Sequence, residues 1–514
     1  MRQIWLILLL IPLIAAGSCR RSSNEFVTVA LSDKITGLDT LSVSVAGASA
    51  ERIRNLLFDS LVKKNEAFDY VGDMAESIET LDGGTTVKFM LRDGIRFHNG
   101  KGFTSADVKY TFDTLFSSNG YKSKAFFDTV NKQQQPHILA FETPDAKTAI
   151  FKISKPSLRT QLLSNLVAIP IIPEGTAQQQ NEAPIGSGPF KFSGFDASQN
   201  TVDLEGFAEY WHGPTSIKKL RVKTVTDASA LQSELSTGGV DVAPNPSNLP
   251  PDVISALESQ GNLAVHKSPG SNVQYLGFNT SASPLNDPKI RQAFGYAIDR
   301  EKIIDQLLLD QATIAHSVLP EASWAYAPGQ VYTFDPAKAR QLLAEANYKN
   351  EPIVFKYSSG NTAVNQYSQA IMANLADAGF NIQVEPLELA TLLSQVAQGQ
   401  FQMTTGIWVG GNQDPIFLRD LFTTAKIPGE GAACCNRWRY RNPEVDRILE
   451  EAYTVQDREQ AKALYQRAWQ IVSSDLPLMP LWYPSNIVVA NKRIGNIKMT
   501  PSGDWTFIKD LTVQ

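Results

Sequence analysis

Three cysteines in 514 residues are too few for a disulfide framework. Two are adjacent, Cys434 and Cys435, able to form a vicinal disulfide or to stand as two thiols, and the third is Cys19. The fold must therefore rest on burial. Histidine is scarce as well. His98, His137, His212, His266 and His316 are scattered, and no pair has the close spacing of a local metal motif. Blocks of one charge sign are missing. Lys and Arg number 47 against 52 Asp and Glu, a net charge of −5. That balance argues against a nucleic-acid partner, which would show as a basic face, and against a polybasic membrane patch. Catalytic signatures are absent too. The sequence has no Gly-x-Ser-x-Gly elbow, no His-Glu-x-x-His pair, no Cys-x-x-Cys and no nucleotide loop. Beyond the N-terminus no apolar run reaches the roughly 20 residues of a bilayer span.

What is present begins at the N-terminus. Arg2 supplies a positive charge, Ile4–Ala16 is an uncharged apolar run, and Ala16-Gly17-Ser18 is small throughout before Cys19. This is the pattern of a secretory signal peptide over residues 1–18. The Cys directly after the small residues resembles a bacterial lipobox, with Ala16 where that pattern prefers Leu. Cleavage would leave a chain beginning at a lipidated Cys19, its net charge −6 once Arg2 is lost. Several acyl chains on one residue anchor stably where one alone is marginal. A mature chain of 496 residues exceeds one core, so two or three domains are expected.

Periodicity predicts an α/β architecture. Phe26–Ala30 reads as a first strand and Val87, Phe89 and Leu91 mark one face of another. Asp93-Gly94 is a turn signal between that strand and Ile95–Phe97. Thr104-Ser-Ala-Asp107 is a capping box opening a helix that carries Val108, Phe112 and Leu115. Asp287-Pro288, Asp335-Pro336 and Asn442-Pro443 each start a helix with Pro at its first position. A long amphipathic helix is expected from about Asp457 to Val472, with strands at residues 273–278, 353–357, 382–384 and 487–489. The Pro-rich Ala243–Pro251 and the polar Gln178–Asn181 read as surface loops or junctions.

Several segments, in order, carry a family resemblance. Lys88–Gly100 followed by Phe103–Phe112, Ile185-Gly-Ser-Gly-Pro-Phe190, Tyr210-Trp211, Tyr275–Thr280 with Tyr296–Arg300, Phe334–Ala346, Asn442–Asp446 and Pro477–Trp482 resemble the large peptide/nickel-type solute-binding proteins of bacterial ABC importers. The resemblance runs from about residue 26 to 514. It implies a two-lobed periplasmic-binding-protein-like (type II) fold with an extra domain inserted in lobe I. Lobe I would be 26–57, 185–274 and 485–514, the insert 58–184, and lobe II 275–484. It also implies a binding protein rather than an enzyme, without cofactor or metal. Such a protein is a monomer that captures a peptide-like solute and hands it to permease subunits with their ATPases. The location implied is periplasmic or cell-surface. Oligosaccharides, opine-like compounds and chelated nickel are alternative solutes, and an extracellular hydrolase is the alternative from another class.

The expected ligand segment is Ile407–Pro415, which resembles the family's Trp-x-Gly-Asp-x-x-Asp-Pro loop. In peptide-binding members the first Asp of that loop meets the ligand amine; here the position is Gly411. Trp408 reads as a cleft wall or as core, and Asn412 and Asp414 share its loop, Asp414-Pro415 also reading as a turn. Asn436, Arg437 and Trp438 lie where family members place groups near the solute. Arg437 could clamp a carboxylate through two parallel bonds or be a surface Arg. Asp39, in the loop after the first strand, could hold a cation or cap a turn. Arg92-Asp93-Gly94 and Gly186–Pro189 read as structural, a turn and an interdomain crossing.

Overall fold

The computed structural model describes residues 25–44, 47–130, 133–410, 413–430 and 435–514. The alternating strand and helix pattern resolves into three main sheets. The first, in lobe I, has seven strands in the order Phe190–Asp196, Thr201–Gly206, Lys219–Thr224, Val27–Leu31, Val242–Pro244, Asn486–Asn491, Leu263–Ser268. Lobe II has six, in the order Ala312–Ile314, Leu478–Pro484, Val273–Phe278, Met403–Trp408, Ile353–Ser358, Ile382–Leu387. Between the first strand of lobe I and its strand Phe190–Asp196 the chain builds the inserted domain. Its four antiparallel strands are Ala75–Leu81, Thr86–Leu91, Thr148–Ile153 and Ile138–Asp145.

Local chemistry accounts for the helices that frame these sheets. The Thr104/Asp107 capping box forms and opens the helix Ser105–Ser118. Pro288–Ala297, Pro336–Glu345 and Pro443–Thr454 begin at Pro, with Asp287, Asp335 and Asn442 accepting backbone N–H groups as caps. Arg458–Asp475 is the long amphipathic helix.

One expectation is corrected. Val242–Pro244 is a buried strand inside the lobe I sheet, not surface. Pro244 lacks an N–H, but the ladder continues because the N–H of Asn245 reaches the Ile487 carbonyl at 2.7 Å. Ile95–Phe97 makes only an isolated bridge, Arg96 to Gly102, because Thr86–Leu91 already has a strand on each side.

Lobe I and the insert share one core. Val29, Leu220, Leu57, Leu61, Phe89 and Phe151 belong to a single buried cluster. Lobe II has separate clusters, one around Phe294 and Phe355 and one around Trp438 and Trp469. The lobes are joined where Leu263–Ser268 runs on into Val273–Phe278 and where Leu478–Pro484 runs on into Asn486–Asn491. These crossings touch. A Cβ on Gly270 would lie 2.0 Å from the Pro484 carbonyl oxygen, so no other residue fits that approach.

Candidate ligand-binding cleft

Beside the crossings, the strand Met403–Trp408 ends in an unusual surface. Ile407 is 46% and Val409 69% exposed, which places apolar groups in solvent on both sides of half-buried Trp408. Tyr275, on the neighbouring strand, stacks against Trp408 at 5.9 Å between ring centres, and Phe417 meets it edge-on at 5.2 Å. Gly406 is bare of necessity: a Cβ there would lie 2.6 Å from the Tyr275 hydroxyl. The Arg437 guanidinium lies 5.3 Å from the Trp408 ring centre. Such a contact contributes about 0.5–2 kcal/mol. Among the described residues no carboxylate lies within ion-pair distance of Arg437. Burial pushes the Tyr275 pKa up to about 12, with Arg437 pulling the other way. The Trp408 Nε1–H is buried without a hydrogen-bond partner among the described residues.

The loop that follows is tied to the insert. Tyr70 donates to Asp414 Oδ2 at 2.5 Å, and Lys64 donates to Gln413 Oε1 at 3.0 Å. Gln413 in turn donates to Ser271 Oγ in the crossing at 3.0 Å, and the Gly410 N–H reaches Asn272 Oδ1 at 3.2 Å. Asp414 also caps its own turn, accepting the Ile416 N–H at 3.0 Å. Burial raises the Asp414 pKa and lowers that of Lys64, each partly offset by the charge of the other. Farther along the same seam Arg458 pairs with Asp69, and Gln456 donates to the Gly83 carbonyl at 3.1 Å. Lys64, Tyr70, Tyr275 and Gln413 escaped sequence reasoning. Lys64 and Tyr70 sit on a two-stranded hairpin, Val62–Lys64 with Tyr70–Gly72, that has no sequence signature of its own.

Trp408, Asp414 and Arg437 thus come together in one region of lobe II. Asn436 does not offer its side chain there. It is fully buried, donating to the Thr423 and Tyr440 carbonyls and accepting the Tyr440 N–H, so it shapes the turn that presents Arg437. Asp39 likewise holds its own loop, accepting the Leu41 N–H at 2.7 Å and bonding Ser42. Trp438 is core beneath Tyr275. Gly411, Asn412, Cys19 and Cys434 lie outside the described residues; Cys435 is disulfide-bonded. Among the described residues no group of three or more His, Cys, Asp or Glu could hold a metal ion, and no helix is long and apolar enough to cross a membrane.

Two α/β lobes joined by paired crossing strands, with an apolar and cationic surface beside the crossing, define a solute-binding protein. Residues 69–429 match the sequence model described as "Bacterial extracellular solute-binding proteins, family 5 Middle", and the chain belongs to that family of ABC-importer solute-binding proteins, which are not enzymes. The hydrolase alternative is therefore set aside. Heme-binding protein A of Haemophilus influenzae is 27% identical over 89% of this chain and 86% of its own. The oligopeptide-binding protein AppA of Bacillus subtilis, solved with a nonapeptide, superposes with a TM-score of 0.72 at 24% identity, covering 95% of this chain and 98% of its own. NikZ of Campylobacter jejuni, solved with Ni(L-His), superposes with a TM-score of 0.75 at 22% identity, covering 95% and 99%. The fold is common to proteins whose solutes differ in kind.

Proposed function

We propose that this chain captures a peptide or peptide-like solute between its two lobes and delivers it to a membrane permease driven by its ATPases. A solute touching both lobes binds the closed arrangement better and shifts the population toward it. The observation that carries the peptide reading is Arg437, held over Trp408 without a carboxylate partner among the described residues. A guanidinium in that setting recognises a carboxylate bidentately. With Gly411 where peptide-binding relatives carry an acid, the grip falls on the solute's carboxylate end rather than on its amine. Cys19 is proposed as the lipid anchor that keeps the protein at the outer face of the membrane.

Calorimetry with trialanine and its C-terminal amide tests this reading. Trialanine should bind at least tenfold, or about 1.4 kcal/mol, more tightly than the amide. Arg437→Gln should erase the difference. Equal affinity for both peptides in the wild type would refute the carboxylate grip, and native mass spectrometry of the co-purifying solute then identifies the alternative. Cys19→Ser should move the protein from the membrane fraction to the soluble extracytoplasmic fraction.

A further inference from the structure

Behind the Trp408 site, the insert and lobe II enclose a groove of about 460 Å3. That lies within the range of small-molecule sites. Its walls come from both bodies. Tyr70 belongs to the insert, while Trp324, Tyr453 and Tyr465 belong to lobe II. The seam bonds border it: Asp414, Asp69 and Arg458 all line the groove.

Two observations mark it as built for an occupant. Tyr465 lines the groove with its ring buried, and its hydroxyl, which opens on the groove, has no hydrogen-bond partner among the described residues. That hydroxyl is free to donate to whatever fills the groove. Arg159 also lines the groove and donates only to the Thr80 hydroxyl, at 2.8 Å. It has no carboxylate partner among the described residues. The other lining charges are matched, Arg458 by Asp69, and Asp414 by the Tyr70 hydroxyl with Lys64 nearby.

We propose that the groove is a second binding site, separate from the Trp408 surface, for an aromatic group bearing an anion. Tyr465 donates to the bound group, aromatic rings from the two bodies flank it, and Arg159 neutralises its charge. On the closure proposed above, these walls belong to bodies that part as the cleft opens, so an occupant binds the closed arrangement better and stabilises it.

The probe is anilinonaphthalenesulfonate, an aromatic anion, titrated by fluorescence into the full mature protein. One dye per chain should bind. Tyr465→Phe, which deletes only the unpaired hydroxyl, should weaken binding about tenfold without lowering the melting temperature. Arg159→Gln should weaken it similarly, and Arg437→Gln should not. No dye binding, binding indifferent to both groove variants, or binding lost in Arg437→Gln alone would each overturn the proposal. The last outcome would place the dye in the cleft and leave the peptide reading standing. Competition with Ala-Ala-Phe separates the sources of such a ligand. Displacement of the dye assigns the groove to the distal part of an imported solute, and co-binding assigns it to an independent aromatic anion.

Discussion

The inserted domain has two borders of opposite character. Toward lobe I it is fused: Leu57 and Leu61 join Phe89 and Phe151 in one apolar cluster with the lobe I strands. His98 adds two bonds across this border, accepting the Gly186 N–H at Nδ1 (3.2 Å) and facing the Gly188 carbonyl with Nε2 (3.0 Å). Asp59 receives the Ser187 hydroxyl and the Trp211 Nε1–H at 3.1 and 2.9 Å. Toward lobe II the border is polar, held by Tyr70–Asp414, Lys64–Gln413 and Arg458–Asp69, with the groove between. Separating an apolar border exposes hydrocarbon to water and is strongly opposed. Separating a polar one exchanges its bonds for bonds to water, at a net loss of only about 0.5–1.5 kcal/mol each. In the closure proposed above, the insert therefore moves with lobe I and the cleft opens along the polar seam.

The largest effect that would break this contrast is expected on the fused side. Leu61→Ala should cost about 2–5 kcal/mol of global stability. Lobe I and the insert should still unfold together in urea. Two separate transitions within that half of the molecule would show that the border is not fused.

Next comes pH. Burial lowers the His98 pKa to about 4, so the folded state holds the neutral ring, with Nε2–H donating. The stability this contributes is present above the unfolded pKa, near 6.5, and is lost as pH falls toward about 4; it amounts to about 3 kcal/mol at most. Asp59 acts in the opposite sense, since burial and Asp73 push it up to about 7. The histidine is therefore isolated by comparing wild type with His98→Gln. Urea midpoints measured from pH 7 to pH 4 should fall more steeply for the wild type, and parallel slopes would count against it.

The smallest expected effects lie on the polar side. Tyr70→Phe removes a donor to Asp414 across the seam, a bond that the proposed opening would break. Trialanine should bind about tenfold more weakly, or 1.4 kcal/mol, while the melting temperature of the unliganded protein stays unchanged. Arg458→Gln removes an exposed bridge and should change the affinity by less than about 1 kcal/mol.

Much of this fold was legible because its signals are local. Pro at a first helical position and Asp or Asn before it predict a helix start from two adjacent residues, and all three such helices begin there. Val242–Pro244 was misread because a three-residue strand, buried between neighbours from both ends of the chain, shows no alternation. The candidate site was legible only on the lobe II side. Trp408 and Arg437 stand on segments with recognisable neighbours, whereas Tyr70 and Lys64 reach Asp414 and Gln413 across 344 and 349 residues. No spacing rule links residues so far apart. Asn436 was misassigned for a related reason: an Asn beside a candidate ligand residue looks alike whether its amide faces a solute or the backbone of its own turn.

The place of Asn486–Asn491 in the lobe I sheet bears on how the chain is made. That strand lies between Val242–Pro244 and Leu263–Ser268, and among the described residues it is the only strand paired with Leu263–Ser268. Synthesis and export deliver it after the whole of lobe II. Lobe II can fold as soon as Leu478–Pro484 arrives, but the sheet begun at Val27–Leu31 waits for a strand made after all of lobe II. A nascent chain halted before Asn486 would carry a finished lobe II beside an open sheet edge at Val242–Pro244, the kind of unpaired edge that invites misassembly.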